Sequence, residues 1–331
     1  MKPCARRGAL RRLGAVALPA MGWGWPIIGA HAEAQAPSSN GLVSIAIVGD
    51  VMLADGPGRV IASGRDPFGP FAARLAAADL RIANLECVVA QGGQPEDKPW
   101  TFRAHPRVLP VLAKHIDVVS VANNHSGDFG RAAFGQMLQR LKAQGLPYFG
   151  GGQNLREAHE PLIVERHGLR IALLGYDGFF PRSYEAGEDH PGVAWIDPEH
   201  IIEDIRRART VHRADLVIPF MHWGQEHEPL ASGLQRQLAR QMIDAGADAV
   251  IGAHPHVVQD TETYRGKPIV YSLGNFVFDG FSDIDNNTGW LLWLQASREG
   301  VHRWRVELAR IDKEGVPHPA GPGPHWARPP A

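Results

Sequence analysis

A nearly continuous apolar run over 42–48 (LVSIAIV), closed by Gly49 and Asp50, opens the ordered part of the chain. Such a run predicts a strand buried on both faces. Further strands are predicted over 80–83, 117–121, 169–175, 215–220 and 247–251. Between them, stretches of helical periodicity predict helices over 72–78, 107–114, 131–144 (closed by Gly145), 198–209 and 233–245. This alternation implies crossover units, with helices covering a sheet. The pattern then changes. Segments 257–264, 267–272, 289–296 and 301–311 read as consecutive strands with short turns, Arg265-Gly266 making one hairpin, so this part should be antiparallel. From 314 onward Pro and Gly crowd a segment without periodicity, which predicts a disordered tail over 314–331. No internal repeat is visible.

Composition adds little: of 331 residues, 44% are hydrophobic and 21% charged, as in ordinary globular proteins. The formal net charge of -1 offers no basic surplus to hold nucleic acid. Residues 1–32 stand apart. They carry Lys2, Arg6, Arg7, Arg11 and Arg12 without an acid, then a mildly apolar stretch over 13–29, then Ala30-His31-Ala32 in the manner of a cleavage site. Arg6-Arg7 also suits a twin-arginine export signal, and Pro19 and Pro26 argue against a stable membrane span. The expectation is an export signal over 1–32, a polar linker over 33–41, a single domain over 42–313, and a periplasmic or extracellular location. No other segment has transmembrane length. Cys87 is then the lone cysteine of the exported chain, with no internal partner. Its neighbours Leu85, Val88 and Val89 predict a buried thiol.

Chemistry collects at the strand ends. Asp50 follows the first strand, Asn84 and Glu86 the second, Asn123-Asn124-His125 the third, Tyr176-Asp177 the next, His222 the one after, and His254-Pro255-His256 the last. Ligands of open α/β sheets bind outside the carboxyl ends of the strands, so these scattered groups should converge. Each has an ordinary structural use when taken alone: Asp caps turns, Asn tolerates left-handed backbone, and a lone His often just hydrogen-bonds. Together, carboxylate, amide and imidazole are the donors that Mn, Zn or Fe prefer. One or two such ions would activate water for hydrolysis. His227 and Glu228, beside the His222 loop, are candidates to touch substrate. Lys98, Trp100, Phe102 and Arg103 suit either an anionic ligand or an edge strand. The remaining histidines (105, 115, 159, 167, 190, 200, 212, 302, 318 and 325) read as solvated.

With these segments in hand the chain resembles the CapA family of capsule-synthesis, or poly-γ-glutamate-synthesis, proteins within the calcineurin-like metallophosphoesterases. The matching segments are Gly49-Asp50-Val51-Met52, Asn84-Leu85-Glu86, Ala122-Asn123-Asn124-His125 with Asp128, His222-Trp223-Gly224 with Glu226, Gly252-Ala253-His254-Pro255-His256, and Tyr271-Ser272-Leu273-Gly274-Asn275-Phe276. The resemblance implies a four-layer α/β/β/α sandwich with mixed sheets. By the same resemblance Asp50, Asn84, Glu86, Asn124, His222, His254 and His256 are metal ligands, with Glu86 or Asn84 at the bridging position. His125 then serves the leaving group, while Glu226 and Asn275 meet substrate. Two departures stand out: Met52 occupies the last place of the usual D-x-H, and Asn84-Glu86 replaces G-D-x-x-D. The implied function is metal-dependent hydrolysis of a phosphoester or related bond in making or exporting an anionic polymer, within a possible polymer-synthesis complex. A non-catalytic, metal-stabilised envelope module and a γ-glutamyl hydrolase are the alternatives.

Overall fold

The computed structural model describes residues 41–327. The expected export signal, and the linker up to residue 40, lie outside the described residues. Alternation along two strands shows how the layers arise. In Val43–Val51, Val43, Ile45 and Ile47 enter one apolar cluster while Ala46 and Val48 enter another. In Leu169–Asp177, Leu169, Ile171 and Leu173 join that same first cluster, and Ala172, Leu174 and Tyr176 face a third. The shared cluster is therefore the seam between two face-to-face sheets, and the outer clusters lie under the helices. A fully buried Leu, Ile or Val side chain contributes roughly 1.5–3 kcal/mol relative to exposure. Among the described residues there is no disulfide, so these three apolar layers carry the fold, and Cys87 is buried and free.

The first sheet has eight strands. Val43–Val51, Leu80–Leu85, Val118–Ser120 and Tyr148–Phe149 pair in parallel, and Thr288–Ser297, Gly300–Ile311 and Pro317–Ala327 extend it antiparallel. Asn275–Val277 lies parallel against the far end of Val43–Val51. The second sheet has six strands. Lys267–Val270, Val250–Ala253, Leu216–His222 and Leu169–Asp177 are parallel, and its two edges, Thr261–Tyr264 and Leu162–Arg166, are antiparallel. Outside the first sheet lie Leu109–His115 and Gly130–Gln144, and outside the second lie Pro198–Thr210 and Gly233–Ala245. The last two are well started. The Asp197 side chain accepts from the backbone N–H of Glu199 and His200, and Ser232 with Gln235 forms a reciprocal capping box. The four-layer α/β/β/α sandwich is thus the observed fold. Among the described residues no helix is long and apolar enough to cross a membrane.

Three expectations need correction. The segment expected as a disordered tail forms the strand Pro317–Ala327 along Gly300–Ile311. It lies at a sheet edge, where prolines withhold no N–H that an inner ladder would need. The strand expected over 257–264 covers only Thr261–Tyr264, because the chain is still turning after His256. Two histidines read as solvated are buried beside acids: His115 Nε2 lies 2.7 Å from Asp66, and His159 Nδ1 lies 2.8 Å from Asp204. Each closes a short helix whose inner face points into an apolar core.

Candidate metal centre

The register of the first sheet aligns Asn275, Asp50, Asn84 and Ser120 in one row, and that of the second aligns Asp177, His222 and Ala253. Both rows lie at carboxyl ends of parallel strands, except that Asn275 opens the short strand Asn275–Val277. Gly49 makes the approach possible: a Cβ there would sit 1.9 Å from the Gly274 carbonyl oxygen, so only glycine lets Asp50 come beside Asn275. On the other side, His254 (φ +97°) and His256 (φ +58°) turn both imidazoles inward from the strand Val250–Ala253, flanking Pro255. Left-handed backbone at two non-glycine residues costs on the order of 1–3 kcal/mol each and persists only where the surroundings impose it.

The result is one buried cluster. Asp50, Asn84, Glu86, His222, His254 and Asn275 have no exposed surface, and Asn124, His125 and His256 have at most 5%. His222 Nε2 lies 2.8 Å from Asn124 Oδ1, 3.1 Å from His254 Nδ1 and 3.6 Å from Glu86 Oε1. His256 lies 3.6 Å from Asp50 Oδ2 through Nδ1 and 3.7 Å from Glu86 Oε1 through Nε2. Ligand atoms of Asp50, Glu86 and His222 fall within 4.8 Å of one another, and so do those of Glu86, His254 and His256. Glu86 belongs to both groups.

The donor set fits a cation. Both oxygens of Glu86, Oδ2 of Asp177 and Nε2 of His254 are buried without a hydrogen-bond partner. Such atoms are normally paired. Burial pushes the Glu86 carboxyl well above its ordinary range, and the neighbouring Asp50 pushes it further; burial also raises Asp50. Burial holds His222 and His254 well below the ordinary imidazole range, helped by the other histidines around them. Lone pairs outnumber hydrogens in this dry space, and a divalent ion would relieve both the crowded carboxylates and the unpaired nitrogens.

Other residues brace the cluster. Asn84 gives its Nδ2 to Asp50 Oδ1 at 2.8 Å, and its Oδ1 accepts from Asn123 at 3.0 Å. Its Nδ2 also lies 3.3 Å from His222 Nδ1, so Asn84 ties Asp50 to His222, and Glu86 is the carboxylate common to both groups. Asn275 was expected to meet substrate; instead its Oδ1 lies 2.9 Å from His256 Nδ1 and its Nδ2 donates to the carbonyls of His256 and Asn286. It orients His256 from behind. His125 Nδ1 lies 2.8 Å from Asp128 Oδ2; burial lowers its affinity for a proton and Asp128 opposes this. Lys98 Nζ lies 2.5 Å from Asp128 Oδ1 and donates to the Asn124 carbonyl at 2.9 Å. Asp177 is pushed up to about 8 by burial. Asp128 and Lys98 gave only faint signals in the sequence, one as part of a matching segment and the other in a short basic-aromatic stretch. Met52 is buried in the outer apolar cluster.

A cleft of about 620 Å³ opens onto this cluster and is lined by His125, Glu226, His227 and His256, among others. Phe102 packs on His125 with ring centres 4.3 Å apart, and Phe179 on His254 at 4.0 Å.

Two facing sheets with a carboxylate–amide–imidazole cluster at their strand ends define a four-layer α/β sandwich with a candidate metal centre. The chain belongs to the family described as bacterial capsule synthesis protein PGA_cap, which it matches over residues 44–280. It is 34% identical over 293 residues to the PGA biosynthesis protein CapA of Bacillus subtilis, covering 86% of this chain and 74% of that one. It is 36% identical over 174 residues to the capsule biosynthesis protein CapA of Bacillus anthracis, covering 52% and 42%. Among solved structures, the NAD nucleotidase NadN of Haemophilus influenzae aligns with a TM-score of 0.47 and 12% identity, over 84% of this chain and 53% of that one.

Proposed function

We propose that this chain is an exported, metal-dependent hydrolase-like protein acting in the synthesis or export of an anionic capsule polymer such as poly-γ-glutamate. Glu86 carries the reading: a buried carboxylate with two unpartnered oxygens, common to two groups of would-be ligands. Asp50, Glu86, Asn124, His222, His254 and His256 would hold one or two divalent ions of the Mn, Zn or Fe type, with Asn84 behind them. Such ions supply Lewis-acid polarisation of a substrate oxygen and of attacking water. The chain's own groups do the rest. His125, its Nδ1 turned to Asp128, keeps Nε2 for a proton at the leaving group. Lys98 fixes Asp128 and the Asn124 carbonyl together. Phe102 and Phe179 keep water off the imidazoles they cover. Glu226, on the cleft wall, would meet substrate.

The test is elemental analysis of the purified chain together with turnover of bis(p-nitrophenyl) phosphate and product analysis on γ-glutamyl oligomers. Stoichiometric metal, with metal and turnover both lost in His254→Ala, is the expected result. Metal-free protein that turns over neither substrate would end the proposal. The second reading, a non-catalytic metal-stabilised module, is favoured by Met52 standing where the resemblance calls for an imidazole; bound metal without turnover would select it. Cleavage of the oligomer alone would select a γ-glutamyl hydrolase. Export is checked by fractionating cells that express the full chain.

A further inference from the structure

We infer that the ligand of this site is amphiphilic, with one anionic head at the cluster and an apolar chain along the cleft. The inference rests on the metal-centre reading for the head alone. The cleft has a continuous aromatic wall: Phe102, Phe278 and Phe281 follow one another at 5.6 Å between ring centres. Phe102 touches His125, and Phe278 and Phe281 lie 5.0 and 5.4 Å from His256, so the wall begins at the site's own imidazoles. Trp100, 72% exposed, completes the lining at the open side.

The outer surface continues the pattern. Among the described residues six large apolar side chains are at least 64% exposed, and four of them, Trp100, Phe180, Leu230 and Ile284, stand on loops at the cluster's end. The Phe180 loop stacks Phe179 on His254, the Leu230 loop bonds the His227 N–H to the Pro255 carbonyl, and the Ile284 loop bonds Asn286 to the His256 carbonyl. Exposed apolar groups gathered on one functional face mark a contact with an apolar partner. The charges limit what that partner carries. Asp55, Glu226, Asp279 and Asp283 line the cleft, Arg59 is the one Lys or Arg among the described residues of its lining, and Arg59 lies 3.6 Å from Asp279. A chain with a carboxylate on every unit would be repelled along this wall, so the capsule polymer of the proposed role would not itself lie in the cleft, whereas an apolar chain would bury methylenes against it.

Butyl, octyl and dodecyl phosphate, each below its micelle concentration, probe this with the metal-loaded full chain by titration calorimetry. Burial of a methylene tightens binding about fourfold. Octyl phosphate should therefore bind at least tenfold more tightly than butyl phosphate, and dodecyl more tightly again. Trp100→Ser, whose side chain is mostly exposed, and Phe281→Ser should both flatten the series. Equal affinities across the series, or a gradient untouched by both variants, would overturn the inference. His254→Ala separates the two readings. If butyl phosphate needs His254 but the series is flat, the metal centre stands and the amphiphile falls. If the gradient survives with no dependence on His254, the apolar cleft stands and the metal centre falls.

Discussion

Replacing Glu86 by glutamine should have opposite effects on stability with and without metal. In the metal-free chain Glu86 is fully buried, neither oxygen has a donor, and burial together with Asp50 disfavours its charged form. A buried polar group left unpaired costs about 1–3 kcal/mol, more when charged. Glutamine keeps the shape and brings two N–H groups. Acceptors are at hand in the Asp50 carboxylate and in Nε2 of His256, whose Nδ1 faces Asn275 and which lies 3.7 Å from Glu86 Oε1. A protonated Glu86 can itself donate once, to Asp50, so metal-free Glu86→Gln should be more stable than the parent by about 1 kcal/mol, the net worth of one further hydrogen bond. With metal the order inverts. An ion at a hundred times its dissociation constant stabilises the parent by about 2.7 kcal/mol, and a variant lacking the shared carboxylate forfeits most of this. Urea denaturation of both proteins, in chelator and in excess Mn or Zn, measures all four states. A variant less stable than the parent in chelator, or one that metal stabilises as much as the parent, would show that Glu86 is an ordinary structural acid.

Asp177 gives a pH signature. Its folded affinity for a proton corresponds to about 8 against 3.8 when unfolded, so the folded state holds the extra proton between these values. Stability of the metal-free chain should therefore fall as pH rises from about 4 to about 8, by up to about 1.4 kcal/mol per unit, and Asp177→Asn should remove that slope in urea titrations at several pH values. Gly49→Ala should destabilise by several kcal/mol (on the order of the largest single-site effects), because its Cβ would meet a backbone oxygen at 1.9 Å; its urea midpoint and metal content should both drop. Ser232→Ala, far from the cluster in function, should cost about 1 kcal/mol through the lost cap of Gly233–Ala245 while leaving metal content unchanged by elemental analysis.

Much of this site was legible because strand ends are local events. A buried apolar run that stops at Asp50, His222 or Gly252-Ala253-His254 announces a polar group at a fixed edge of a sheet, and the parallel topology then brings the edges together. What could not be read depends on who sits opposite. Whether Asn84 ligates or braces turns on Asn123, 39 residues away. Asn275 looked like a cleft residue until His256 and Asn286 were seen to occupy its whole amide. The burial of His115 and His159 needed Asp66 and Asp204, partners that no periodicity names. The strand Pro317–Ala327 failed the pattern because an edge strand with proline resembles a tail until its neighbour is known.

The cluster draws on both sheets at once: Asp50 and Glu86 stand at and just past strand ends of the first, His222 and His254 at and just past strand ends of the second. At the opposite end the two halves are tied by hydrogen bonds, from Arg166 and His167 to Asp79 and from Arg298 to the Gly168 carbonyl; here they would be riveted by coordination bonds. An empty centre would leave this end of the sandwich as a clasp undone, and amide exchange should begin there when the ion is withdrawn.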